Sequence, residues 1–260
     1  MGSYGKGIKG SFISASLQLS DPSYRENQVL REIMKPTTMI AETDTPDGTT
    51  FRLYGHDGAF YLYLDDRQVM STTLTHSELL LADIGCDFRE RRTNPRILIG
   101  GLGLGYSLRR CLELTSKGSI IEVAELLPEI VRWNRECLGG LNDEVFDDPR
   151  TVIVERDVHS CIREAAKNSS RYDAILLDVD DGPSSLIQSQ NEQIYRHEGL
   201  SAIKRALNPG GRAAFWTATV EPGLLRGLRR AGFVTEEIPV AKHPRARRKN
   251  HRVYLAERRD

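Results

Sequence analysis

The 260-residue chain has no excess charge of either sign: Lys+Arg and Asp+Glu are both 36. That balance argues against general nucleic-acid or membrane-surface binding, which rests on a one-signed surface. No apolar stretch approaches the roughly 20 residues of a membrane-spanning helix. The first residues also lack a secretory pattern, so a cytoplasmic location is expected. Cysteine is scarce. Cys86, Cys111, Cys137 and Cys161 fall mostly within helical patterns and share no C-x-x-C spacing. This disfavours a metal site or a disulfide framework and reads as reduced core thiols. No internal repeat is visible. What is present, 39 % hydrophobic residues over this length, can build the core of one large domain with a small appendage.

Three stretches follow from pattern. Residues 1–35 open with the glycine-rich Met1–Gly7 and carry only a short helical suggestion around Arg25–Met34, so they are expected to be flexible and partly helical. Residues 36–74 alternate as strands, notably Thr49–Tyr54 and Phe60–Leu64, with turns at Pro46–Gly48 and Gly55–Gly58. Such a small antiparallel β-hairpin domain is marginal alone, and is expected to cover a site or to build a homodimer face. Residues 75–260 alternate strands with helices, which predicts an α/β fold with a parallel sheet closed by a terminal antiparallel hairpin.

The most informative residues are Arg96–Tyr106, RILIGGLGLGY: a buried-strand run that breaks into glycines before a helix. Gly101-x-Gly103-x-Gly105 is not the dinucleotide fingerprint, whose third glycine would fall on Tyr106, so NAD and FAD are disfavoured. It is the common nucleoside turn of S-adenosylmethionine (AdoMet) transferases, although such turns also occur for close packing alone.

Carboxylates then fall at the ends of successive strands. Glu125 closes the next apolar run, where vicinal ribose hydroxyls can donate to its two oxygens. Glu122 competes for that role, and a solvated strand end is the bland alternative. Asp157 ends the third run and suits an adenine amino group, an N-cap for Val158–Lys167, or both. After the fourth run come Asp178, Asp180 and Asp181, a cluster fit to bind or deprotonate an amine, or else an acidic Gly-Pro turn in solvent. The loop Gly182–Glu192 has the length and place of a lid over the acceptor. Trp216 is either core or acceptor-facing, and the basic Lys242–Arg252 either a solvated hairpin tip or a clamp for an acidic substrate.

The chain resembles the spermidine synthase-like aminopropyltransferases and their methyltransferase relatives. The matching elements are Ile97–Gly105, Val123–Glu125 with Pro128-Glu129, Phe146–Arg150, Asp157, Tyr172–Asp178, Gln193–Tyr195 and Ala206–Gly211, in family order over roughly residues 50–240. The resemblance implies a Rossmann-like class I AdoMet methyltransferase sheet of seven strands. It also implies a donor, AdoMet or decarboxylated AdoMet, and a small-molecule amine acceptor. Residue by residue, Gly101, Gly103 and Gly105 would form the donor turn, Glu125 would bind ribose and Asp157 adenine. Asp178 would orient or deprotonate the attacking amine, Asp181 would hold the acceptor, and Tyr195 would line its pocket.

One departure bears on the reaction. The family's aminopropyltransferases carry an aspartate where this chain has Gly103, and its loss removes an anchor for the decarboxylated donor and a repulsion toward the carboxylate of intact AdoMet. Methyl transfer is therefore expected, with aminopropyl or aminocarboxypropyl transfer and a non-catalytic AdoMet-binding role as alternatives. His76 and Glu78 are the candidates to meet the donor's ammonium, the competing role being a helix cap made by Thr75 with Glu78.

Overall fold

The run predicted to be a strand before the glycine turn is β5 (Arg96–Gly100), whose Ile97, Leu98 and Ile99 are buried. It was placed in a computed structural model that describes residues 36–88, 92–168, 170–179, 182–186, 189–241 and 249–260. The expectations for residues 1–35, for Asp180 and Asp181, and for most of Lys242–Arg252 lie outside the described residues.

Before β5 come four strands, β1 (Thr38–Asp44), β2 (Thr50–His56), β3 (Ala59–Leu64) and β4 (Arg67–Ser71), and a helix, α1 (His76–Cys86). After it come α2 (Tyr106–Leu114), β6 (Ile120–Glu125), α3 (Pro128–Glu136), α4 (Asp143–Asp147), β7 (Thr151–Glu155), α5 (Val158–Asn168) and β8 (Tyr172–Leu177). The chain continues through α6 (Glu192–Tyr195), α7 (His197–Ala206), β9 (Leu207–Thr217), α8 (Pro222–Arg230), β10 (Val234–Val240) and β11 (His251–Glu257).

β1 to β4 form an antiparallel meander, and the other seven strands a sheet in the order β10-β11-β9-β8-β5-β6-β7. From β9 to β7 every pairing is parallel, while β11 runs antiparallel to both neighbours. This is the predicted α/β architecture. β9 takes in Leu207–Gly211, where the amide of Gly210, at a φ of +72°, donates to the Arg258 carbonyl at 2.7 Å.

Alternate residues of the central strands feed two cores. Ile97, Ile99, Ile121, Val123 and Leu176 face one side, and Leu98, Ala124, Ile175 and Leu177 the other. The first core also takes Phe51, Leu53, Leu62 and Leu64 from the meander, so the small sheet is held by packing on the large one. Chain order reverses between β5 and β8, the position where open α/β sheets leave a crevice at their carboxyl ends. The meander lies over that crevice.

Candidate functional site

Three positive φ angles build the turn after β5: Gly101 (+82°), Gly103 (+52°) and Gly105 (+83°). A side chain is disfavoured at each, and the backbone can therefore approach a ligand closely. The turn's carbonyls are held by two buried amides that the sequence did not flag. Asn134 donates to the Gly103 carbonyl at 2.8 Å, Asn142 donates to that of Leu104 at 3.0 Å, and Asn142 also donates to the Asn134 side-chain oxygen at 2.6 Å. Truncating Asn134 to Ala removes a partner from Asn142 and from Gly103 at once. Leaving buried polar groups unsatisfied costs about 1–3 kcal/mol, and a lowered melting temperature with weakened nucleoside binding is the expected result.

Glu125 ends β6 and is buried, with each oxygen already accepting a backbone N–H: Leu102 at 2.8 Å and Leu127 at 2.9 Å. Burial raises its pKa above the usual 4.5, these amides opposing the rise. A carboxylate has about four lone-pair sites, so both oxygens keep capacity for a pair of hydroxyls. The competitor Glu122 is committed elsewhere. It pairs with Arg96 at 2.7 Å and accepts the Tyr172 hydroxyl at 3.0 Å.

Asp157 caps α5, accepting the amides of His159 at 3.2 Å and Ser160 at 3.1 Å, and it lines the same cavity as Glu125. The cap and the ligand-facing role coexist. Asp178, half-buried just past β8, lines the cavity as well.

One cavity brings together Gly101, Gly103, Glu125, Asp157, Asp178 and Glu78. The meander supplies Phe51, Leu62, Val69 and Met70 to its wall, and Asn191 and Trp216 line it as well. Trp216 stacks on His251 with centroids 5.2 Å apart, and its buried indole N–H has no hydrogen-bond partner among the described residues. The loop after β8 touches the meander's first turn, where the Ser189 amide donates to Asp47 at 2.6 Å.

Three candidates stand apart from that wall. Gly105 is the N-cap of α2 and packs on Asn142. Tyr195 packs with Phe215, centroids 6.5 Å apart, against the second core. His76 begins α1 without lining the cavity, whereas its neighbours Ser77 and Glu78 do. Met70, Ser77 and Asn191 carried no sequence signal, since only the fold brings them to the turn.

The end of the Met70 side chain, from β4, stands where a Cβ on residue 103 would be. The capping alternative for Glu78 is not formed: Thr75 makes no side-chain cap hydrogen bond, and the Glu78 carboxylate instead accepts the Ser77 hydroxyl at 2.6 Å.

Burial raises the pKa of Glu78 above its usual 4.5, the Ser77 bond opposing the rise. A carboxyl whose pKa is higher folded than unfolded contributes stability that is fully present below the unfolded value and lost as pH climbs through the folded one. Glu78→Gln should therefore melt with the parent protein in acid and above it at neutral pH, as thermal scans across that range would read.

No family model matches the chain. A polyamine aminopropyltransferase of Pyrobaculum calidifontis is 34 % identical over 119 residues, 45 % of this chain and 40 % of the relative. The polyamine aminopropyltransferase 1 of Hyperthermus butylicus is 29 % identical over 156 residues, 60 % of this chain and 49 % of the relative. The chain thus spans about half the length of the curated relatives it matches. A solved spermidine synthase, in complex with the transition-state analogue AdoDATO, superposes with a TM-score of 0.61 over 84 % of this chain and 72 % of that one, at 17 % identity. That likeness speaks for the fold. Sequence and fold comparisons together support the spermidine synthase-like resemblance.

Proposed function

We propose that the chain is a transferase that passes an aminopropyl group from decarboxylated AdoMet to a small amine. The observation that carries this reading is the charge of the cavity. Glu78, Glu125, Asp157 and Asp178 line it, and no Lys, Arg or His does among the described residues. A donor with a sulfonium and an ammonium but no carboxylate suits such a wall, whereas intact AdoMet would bring a further anion among four acids with no cation to receive it. The relatives named polyamine aminopropyltransferase support the same group over the methyl transfer expected from Gly103.

The residues present fit the donor. Glu125 would take the ribose hydroxyls and Asp157 the adenine amine, while the Gly101–Gly103 backbone permits close approach. The donor supplies a carbon beside a sulfonium sulfur, and leaves as a neutral thioether once that C–S bond has given its electrons to sulfur. Asp178 draws in the acceptor's ammonium and takes its proton, so that the nitrogen lone pair can form the new C–N bond. The meander and Trp216 wall the reacting groups from water, which strengthens the pull of Asp178 on a cation.

Methyl transfer from intact AdoMet is the second reading, favoured by the absence of the family's aspartate at Gly103. Incubating the protein with decarboxylated AdoMet and a panel of mono- and diamines tests the first. The expected result is release of 5′-methylthioadenosine and a product heavier by one aminopropyl group. Amines that react only with intact AdoMet, gaining a methyl group, would install the second reading instead.

A further inference from the structure

Two thiols meet at the end of α1 that lies away from the cavity. Cys86 is the last residue of α1 and Cys111 stands on α2, and their sulfurs are in hydrogen-bond contact at 3.7 Å. The same two helices are joined at the other end of α1, where the Ser107 hydroxyl donates to the Glu78 carbonyl at 3.4 Å, and midway, where Arg110 donates to Asp83 at 2.7 Å. Cys137 and Cys161 have no such sulfur neighbour among the described residues.

The pair is asymmetric. Cys111 is fully buried, and its bond to Cys86 together with that burial pushes its thiol well above the usual range. Cys86 is half-buried and borders a surface cavity together with Asn94 and Lys117. A small reagent therefore reaches Cys86 and not Cys111. Cys111 in turn needs no access to solvent, because the sulfur it would attack is already beside it.

We propose that Cys86 and Cys111 are a redox-modification site: Cys86 takes a low-molecular-weight disulfide of the glutathione class, and Cys111 resolves the adduct into a bond between α1 and α2. The Cys86 thiolate attacks one sulfur of the small disulfide, whose S–S bond breaks and releases one thiolate. The Cys111 sulfur then attacks that of Cys86, passing its proton to the second small thiol as it leaves, while the first thiolate regains the proton that Cys86 had lost. Two protein thiols are oxidised to one disulfide, and the small disulfide is reduced to two thiols. The bond fastens the far end of the helix that carries Ser77 and Glu78 to the cavity wall. This goes beyond the donor reading and does not depend on it.

Intact-protein mass spectrometry after incubation with oxidised glutathione tests the site. The parent should lose two hydrogens, about 2 Da, with Cys86 and Cys111 recovered in one linked peptide pair, and dithiothreitol should reverse the change. Cys111→Ser should stop at a glutathione adduct on Cys86, and Cys86→Ser should leave Cys111 unreacted. A cross-link between positions 25 residues apart restricts the unfolded chain, so the oxidised parent should melt above the reduced one. Three results read on the parent alone, which needs no variant to fold, would each overturn the proposal. They are a failure to react or a lasting glutathione adduct beside a free Cys111 thiol, a linked pair that involves Cys137 or Cys161, and an oxidised form that melts no higher than the reduced one.

Discussion

Asp178→Asn should lower transfer on the order of 100- to 10,000-fold, the range that a positioned proton acceptor contributes, while leaving donor binding nearly intact. An amine reaches this pocket at neutral pH as an ammonium, with no lone pair to attack carbon. Asp178 sits at the carboxyl end of β8, the strand next to the glycine turn, and lines the cavity that the turn opens. The amide of Asn keeps the shape and the ability to accept a hydrogen bond, but neither attracts the cation nor takes its proton. Single-turnover rates set beside calorimetric donor affinity separate the two effects. A variant that turns over normally would move the base elsewhere, and one that loses donor binding in step with rate would make Asp178 a donor ligand.

Glu125→Ala should weaken binding of adenosyl ligands by about 10- to 100-fold, the loss of a charged hydrogen-bond acceptor. The loss goes beyond the ribose. Glu125 bonds the amides of Leu102, inside the glycine turn, and Leu127, just before α3, so it also ties the turn to the helix that follows β6. The same substitution should therefore lower the melting temperature. Titration with 5′-methylthioadenosine, which carries the ribose but no amine tail, checks the first effect independently of Glu78. Undiminished affinity would reassign the ribose site.

The parts of the site legible in sequence are those fixed by local order. A strand delivers its last side chain to the sheet's carboxyl edge, so Glu125 was readable from an apolar run that ends in an acid, Asp157 from its place two residues past the next such run, and the glycines from the turn they must make. Both lie on the cavity, as does Asp178. Sequence position put Glu125 ahead of Glu122, but what holds Glu122 away was not readable: Arg96 on the adjacent β5 and Tyr172 on β8 keep it in a structural network. Met70 was invisible for the same reason: only packing of the meander on the larger sheet sets its sulfur against Gly103. Asn134 and Asn142 look like ordinary polar positions until the fold buries them under the turn.

Competition between the two donors tests the central claim most directly. The protein is given decarboxylated AdoMet and AdoMet at equal concentration, with an amine that it accepts, and the nucleoside products are separated by mass. Breaking the bond to the aminopropyl carbon yields 5′-methylthioadenosine, and breaking the bond to the methyl carbon of AdoMet yields S-adenosylhomocysteine. A cavity walled by Glu78, Glu125, Asp157 and Asp178 predicts that 5′-methylthioadenosine forms in large excess. S-adenosylhomocysteine as the main product, matched by a methylated amine, would contradict the account.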